Sequence, residues 1–388
     1  MRNIDAAGMG IGDDHPPRIM GVLNISQESP YDPSVFADPG EAAQYVDQQL
    51  IDEGADIVDV GLESANKKFD VLSPDQELQR LNTAIETMES TSGDAVWSIE
   101  TRYHEVAEKA LSRGYQMVND ICGFADPDLP RVCEEHDVAV GKMASPPDLE
   151  RPGAIADVDD IYDALSRNGF TEKTILDPAF GGWSEDKTVE DDRETFHRLR
   201  EFRGYGRPLL VSINRKNFLR SVAGRDTEGA LPVSLAATAM AVERGAHVIR
   251  THDVSETRDA ALIGAEFSRD RTSVAGDIDV EELAVTSPAE ARRHLDRLGA
   301  DTEVASAAGV GVFELNGLAP AEHGTLRASV NSTQGTVMGS PATPSSDTQS
   351  AAGLVIGTPE ALRQLVTDAA GSSEALDDAL GSIETAIE

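Results

Sequence analysis

Short β-branched and apolar runs recur along the first two thirds of the chain, at 18–23, 57–61, 96–100, 117–120, 138–143, 174–177, 209–212 and 248–252. Between them lie longer stretches with helical periodicity. In EAAQYVDQQLIDEGA, Ala43, Val46, Leu50 and Ile51 share one face, the spacing of an amphipathic helix. HEVAEKALSRGY repeats the pattern. Eight strand–helix units in series predict an α/β chain folded as a (β/α)8 TIM barrel. An open doubly wound sheet is the competing arrangement, and the count of eight favours closure.

The barrel pattern spans 18–267. Residues 1–17 read as a mobile lead-in and 268–278 as a linker. From 279 to 388 the character changes: TSPAEARRHLDRLGA predicts a helix, strand-like pieces follow at 310–315 and 353–357, and a further helix starts at Pro359. GSPATPSSDTQSAA is a low-complexity loop. This predicts a small α+β domain, without a lysine and without a recognisable catalytic cluster.

Polar residues stand where each barrel strand ends: Asn24; Glu63 and Ser64; Glu100; Asn119 and Asp120; Lys142 and Met143; Asp177; Asn214, Arg215 and Lys216; Arg250 and His252. In barrel enzymes the C-terminal rim of the strands carries the active site. One such residue is readily a strand-end cap; a full circuit of them points to a site.

Charge adds a second constraint. Asp and Glu total 69 against 33 Lys and Arg, a net charge of -36. Such a field repels nucleic acid and anionic lipid, so neither is an expected partner. Lysine is confined to Lys67, Lys68, Lys109, Lys142, Lys173, Lys187 and Lys216. The acidity runs along the whole chain, which points to a salt-rich cytoplasm, as in a halophilic microbe. No apolar stretch is long enough to cross a bilayer. The start lacks the basic and apolar regions of a signal peptide, and two cysteines, Cys122 and Cys133, make no disulfide framework. The expected location is cytoplasmic.

Several motifs, in order, carry a family resemblance over residues 18–265. They are IMGVLNIS, GADIVDVGLES, WSIETRYHEVAEKALSRGYQMVNDI, ILDPAFG, INRKNF and IRTHDVSETRDA. The set resembles dihydropteroate synthase, which condenses (7,8-dihydropterin-6-yl)methyl diphosphate with 4-aminobenzoate in folate biosynthesis. The resemblance implies a pterin pocket of Glu100, Asn119, Met143, Asp177, Phe180 and Lys216. It implies a diphosphate end at Asn24, Arg250 and His252, with Asn24 helping to hold Mg2+. Lys216, Arg250 and His252 would carry the catalysis, and a homodimer through barrel helices is common in the family. The residue types suit a pterin, since carboxylates accept from ring N–H groups, asparagine both donates and accepts, and lysine donates.

The chain also departs from the family. Glu100 stands where aspartate is usual, and the first loop reads Ser26-Gln27-Glu28-Ser29-Pro30. The second loop reads Ser64-Ala65-Asn66-Lys67-Lys68, without the family's arginine; Lys67 or Lys68 is the expected substitute at the diphosphate. Met143-Ala144 replaces Met-His, and Asn214 replaces a serine. The pterin contacts are therefore better kept than the aminobenzoate loops. That leaves open a modified aminobenzoate, a pterin-dependent methyltransferase, or a binder without catalysis.

The charge yields a direct test. The Debye length falls from about 10 Å at 0.1 M salt to about 3 Å at 1 M, which screens carboxylate repulsion. The melting temperature should rise as KCl goes from dilute to molar. A flat or falling curve would contradict the reading of the acidic surface.

Overall fold

The computed structural model describes residues 3–26, 32–64, 71–181, 187–268, 272–275, 278–281, 283, 285–339 and 351–387. The chain divides into two units, Met1–Asp270 and Arg271–Glu388.

The first unit opens with an antiparallel hairpin, β1 (Ile4–Ala6) and β2 (Met9–Ile11). The apolar runs then appear as β3 (Arg18–Asn24), β4 (Ile57–Gly61), β5 (Val96–Thr101), β6 (Met117–Asp120), β7 (Ala139–Met143), β8 (Thr174–Asp177), β9 (Leu210–Val211) and β10 (Val248–Thr251). All pair in parallel in the order β8-β7-β6-β5-β4-β3-β10-β9. A parallel bridge between Leu176 and Leu209 joins the two ends, so the sheet closes into a (β/α)8 barrel. β9 is one residue shorter than its apolar run at each end, and the Leu209 amide just before it donates to His247 Nδ1 at 3.0 Å.

Each barrel strand is followed by helix, packed outside: α1 (Pro39–Tyr45, continued by a widened turn to Ile51), α2 (Pro74–Ser90), α3 (His104–Leu111), α4 (Leu129–Glu135), α5 (Val158–Ser166), α6 (Val189–His197), α7 (Asn217–Ala223), α8 (Leu231–Glu243) and α9 (Val254–Glu266). Short polar residues start several of them. Asp38 caps α1, and Ser73 with Gln76 makes a reciprocal capping box on α2. The first helix buries Ala42, Ala43, Val46 and Leu50, while Ile51 is only half-buried.

Side chains alternate in and out along a strand. One inward residue per strand makes an apolar lower tier: Met20, Ile57, Val96, Met117, Ala139, Ile175, Leu210 and Val248. Ile4, Ala6 and Ile11 of the hairpin pack against it and stopper the lower end. This corrects the expectation of a mobile lead-in over 1–17. The hairpin is also latched by charge. Asp13 takes a two-pronged bond from Arg203, 3.1 Å on each prong, and lies 2.9 Å from His247 Nε2. His247 Nδ1 already accepts from Leu209, so its proton sits on Nε2 and points at Asp13. Burial alone would raise the Asp13 pKa, but the His247 and Arg203 contacts outweigh it and hold the carboxyl below its usual range.

In the second unit, β11 (Thr272–Ala275) and β12 (Ile278–Glu281) form a hairpin, so the expected linker 268–278 contains strand. Then follow α10 (Pro288–Leu298), β13 (Gly311–Leu318), α11 (Pro320–Ser332), β14 (Thr336–Gly339), β15 (Ala351–Gly357), α12 (Pro359–Ala369) and α13 (Glu374–Ala386). The three longer-range strands pair antiparallel in the order β13-β15-β14. Leu315, Val355, Leu326, Leu362, Leu365 and Leu380 form their core with the helices. The low-complexity loop lies largely outside the described residues, at 340–350.

Replacing Asp13 with alanine takes a charged partner from Arg203 and His247, both largely enclosed. Breaking such a pair should cost roughly 3 kcal/mol. Denaturant unfolding at fixed molar KCl measures it; a change under about 0.5 kcal/mol, the range for ordinary surface sites, would show that the hairpin is not latched.

Candidate active site at the barrel mouth

Two residues beyond the apolar tier, the inward positions become Val22, Asp59, Ser98, Asn119, Gly141, Asp177, Ser212 and Arg250. The same alternation that builds a dry lower core thus lifts a polar tier towards the C-terminal ends of the strands, where barrel enzymes do their chemistry. Two residues further up, Asn24, Gly61 and Glu100 form part of the rim.

Asp59 stands at the centre of the polar tier and is fully buried. Its Oδ1 accepts from Ser98 Oγ at 2.7 Å, and its Oδ2 accepts from Asn119 Nδ2 at 3.0 Å and from Arg250 Nε at 2.7 Å. Arg250 donates through its second nitrogen to Glu100 Oε2, 2.7 Å away. One guanidinium therefore bridges two carboxylates from neighbouring strands. Burial works against the Arg250 charge, but Glu100 and Asp59 outweigh it and hold its pKa above the usual arginine value. Burial pushes Glu100 up to about 7, with Arg250 pulling the other way.

Asn119 has room because Gly141 lies opposite: a Cβ there would stand 2.8 Å from Asn119 Oδ1. Asp177 is buried at the end of β8 and accepts from the Ala179 amide at 2.7 Å; burial raises its pKa to about 6. Lys216, just before α7, lies against Gly181, whose added Cβ would be 2.9 Å from Nζ. Burial and then Arg250 lower the Lys216 pKa to about 8, opposed by Asp177. Asn24 donates through Nδ2 to Ser34 Oγ at 2.9 Å. That contact aims Oδ1 at the mouth, where a Cβ on Gly61 would come within 3.0 Å of it.

The structure thus brings together Glu100, Asn119, Asp177, Lys216 and Arg250, with Asn24 on the rim beside Gly61 and Glu100. The remaining candidates have partners of their own. Arg250 donates to Asp59 and Glu100 and keeps 17% of its side chain exposed. His252 follows it, with its backbone N–H 3.5 Å from Asn214 Oδ1. Burial and Arg250 drive the His252 pKa down to about 3, which favours the neutral imidazole. Phe180 is enclosed with Phe218 (ring centroids 5.6 Å apart) and Phe196 (6.1 Å), so its ring packs the core beside the site. Met143 is buried at the end of β7. Asp120 and Lys142 face outward: Asp120 accepts from the Cys122 and Phe124 amides, and Lys142 donates to the Arg167 and Gly169 carbonyls. Asn214 and Arg215 both donate to Asp253. Lys67, Lys68 and most of the first loop, 27–31, lie outside the described residues.

Asp59 and Ser98 escape a reading of strand ends, since each sits inside a strand. The available signal is an aspartate in the apolar run IVDVG, at the same two-residue period as Ile57 and Gly61.

A closed (β/α)8 barrel with carboxylates, amide and cations converging at its C-terminal mouth defines a barrel protein built to bind a small polar molecule there. Comparison narrows the class. The chain belongs to the pterin binding enzyme family, whose model matches residues 20–252. It is 32% identical over 294 residues to a probable bifunctional folylpolyglutamate synthase/dihydropteroate synthase of Haloferax volcanii, covering 72% of this chain and 34% of that relative. It is 29% identical over 258 residues to the dihydropteroate synthase of Bacillus subtilis, covering 65% of this chain and 89% of that one. Among solved structures it resembles a dihydropteroate synthase from Coxiella burnetii in complex with pteroic acid, with a TM-score of 0.57 and 29% identity over 66% of this chain and 94% of that chain.

Removing Asp59 tests the tier. Asp59→Ala takes a partner from Arg250, Asn119 and Ser98 together, and should destabilise the fold by roughly 3 kcal/mol, as for a broken buried pair. Unchanged stability in denaturant titrations at molar KCl would mean that the three donors find other partners.

Proposed function

We propose that this chain is a dihydropteroate synthase, joining (7,8-dihydropterin-6-yl)methyl diphosphate to 4-aminobenzoate. The observation that carries the reading is the set of buried Asp177 and Asn119 with half-buried Glu100 and Lys216, beside the Asp59–Arg250 bridge. A pterin edge presents N–H donors beside a carbonyl and ring nitrogens. Asp177 and Glu100 accept from the donors, Lys216 donates to the acceptors, and Asn119 does both. The ring's N–H groups favour the charged forms of Asp177 and Glu100. Arg250 orients Glu100 from beneath.

In the reaction the methylene C–O bond breaks and the electron pair leaves with diphosphate. The arylamine nitrogen forms the new C–N bond and then releases a proton to solvent. No protein nucleophile is needed; the chain positions the two substrates and excludes water. Neutral His252 offers a hydrogen bond near the mouth, and Lys67 or Lys68 supplies cationic charge from the second loop. Asn24 suits Mg2+: its aimed Oδ1 is a hard oxygen donor, and Mg2+ is commonly held by few protein oxygens plus phosphate. When bound, the ion neutralises charge on the departing diphosphate.

The surface supports two further parts of the reading. α8 and α9 pack together and expose Met240, Leu262, Ile263 and, just beyond, Phe267, which is 78% exposed. Such a patch on an acidic protein suits a homodimer face. No described helix is long and apolar enough to cross a membrane, and the net charge of -36 suits a salt-rich cytoplasm.

Turnover of pterin diphosphate and 4-aminobenzoate at molar KCl tests the reading; absence of dihydropteroate with wild-type protein would reject it. The pH profile of kcat/KM should be a bell. It rises as Asp177 (about 6) and Glu100 (about 7) ionise, and falls as Lys216 (about 8) loses its proton. Lys216→Ala should remove the alkaline limb and lower kcat/KM by about 10- to 100-fold, matching the roughly 1.5–3 kcal/mol of a charged hydrogen bond.

A further inference from the structure

After β8 the chain turns back sharply through Pro178, Ala179, Phe180 and Gly181. Ala179 adopts φ 62° and Gly181 φ 119°, and a left-handed alanine is strained. This turn gives Asp177 its backbone hydrogen bond, from the Ala179 amide, and it is the surface against which Lys216 lies. Something must hold it.

Lys187 enters beneath the turn, just before α6, with 1% of its side chain exposed. Its Nζ donates to the Ala179 carbonyl at 2.5 Å and lies 3.3 Å from Asp192 Oδ1. Asp192, in the first turn of α6 and 3% exposed, accepts from the Gly181 amide, with its oxygens at 3.1 and 3.2 Å. The ion pair therefore grips a carbonyl on one side of Phe180 and an amide on the other. Phe180 is thereby anchored in its aromatic cluster.

A buried pair of this kind is a poor source of net stability, because desolvation offsets its attraction. The choice of lysine is equally telling. The whole chain has seven, against 26 arginines, from 33 Lys and Arg together. A lysine kept in a nearly sealed space, bound to a backbone carbonyl and a carboxylate, serves its immediate surroundings. We propose that Lys187 and Asp192 are positioning residues of the active site, fixing the Asp177–Gly181 turn so that Asp177 and Lys216 meet the pterin edge together. The inference rests on the pterin reading above.

The pair also acts on Lys216 through charge. The charged groups acting most on that ammonium are Arg250 of β10, Asp177 of β8, and Asp192 and Lys187 at the start of α6, and the titratable His252 after β10 also interacts with it. Lys187 favours its deprotonation and Asp192 opposes it. Removing one or the other should therefore move the same titration in opposite directions, which a purely structural role would not do.

The experiment uses the full chain at molar KCl, with pteroic acid as the calorimetric probe and kcat/KM measured across pH. Lys187→Met and Asp192→Asn should each weaken pteroate binding at least tenfold. The alkaline limb set by Lys216 should move up in Lys187→Met and down in Asp192→Asn, and return towards wild type in the double variant. Wild-type affinity with an unmoved limb in both single variants would overturn the proposal. If Lys187→Met does not fold, the isosteric Asp192→Asn carries both readouts alone. A wild-type protein that fails to bind pteroate would instead overturn the pterin reading, and this inference with it.

Discussion

A guanidinium inside a barrel is the constraint on which the site depends. Arg250 points into the barrel with 17% of its side chain exposed, so carboxylates supply most of its partners. Asp59 and Glu100 do so from β4 and β5, at 2.7 Å each. Asp59 in turn draws Ser98 and Asn119 to its remaining lone pairs. The polar tier is thus one network, and a half-satisfied network of this kind would be worse than an apolar core. The apolar tier below isolates it from the bottom of the barrel, and the latched hairpin seals that bottom. Shape, charge and burial then leave one open direction, the mouth.

Much of the fold is legible in the sequence because of how a parallel barrel buries its strands. Helices cover one face and the barrel core the other, so strands read as near-continuous apolar runs. Each apolar run begins and ends within one residue of an observed strand, and the spacing between runs reveals the helices. The same burial hides Asp59. An acidic residue within an apolar run draws no attention when polar groups are sought at strand ends. The amino-terminal hairpin is hidden for another reason. Its strands have three residues each, and its anchors, Arg203 and His247, lie about two hundred residues away in sequence.

Side-chain direction sets the other limit. Lys142 ends a strand, as an active-site lysine would, yet it faces outward to the carbonyls beyond α5. Phe180 lies close to Asp177 in the chain, yet it turns into the cluster of Phe196 and Phe218. Lys187 lies within the acidic stretch SEDKTVEDD, yet its side chain is nearly sealed. Composition alone carries a hint here: where lysine is rare, each remaining one is worth asking about. Burial converts such groups into tuned ones, with Lys216 lowered to about 8 and Glu100 raised to about 7, close to the pH at which a binding site must work.

If the tier anchored by Asp59 and Arg250 receives a pterin edge, a crystal structure of the chain grown in molar KCl with pteroic acid shows it most directly. The pterin should lie inside the mouth, its ring edge within hydrogen-bond distance of Asn119, Asp177 and Glu100, with the Asp59–Arg250 contact kept. Pteroate bound elsewhere, or Arg250 drawn away from Asp59 on binding, would contradict that assignment.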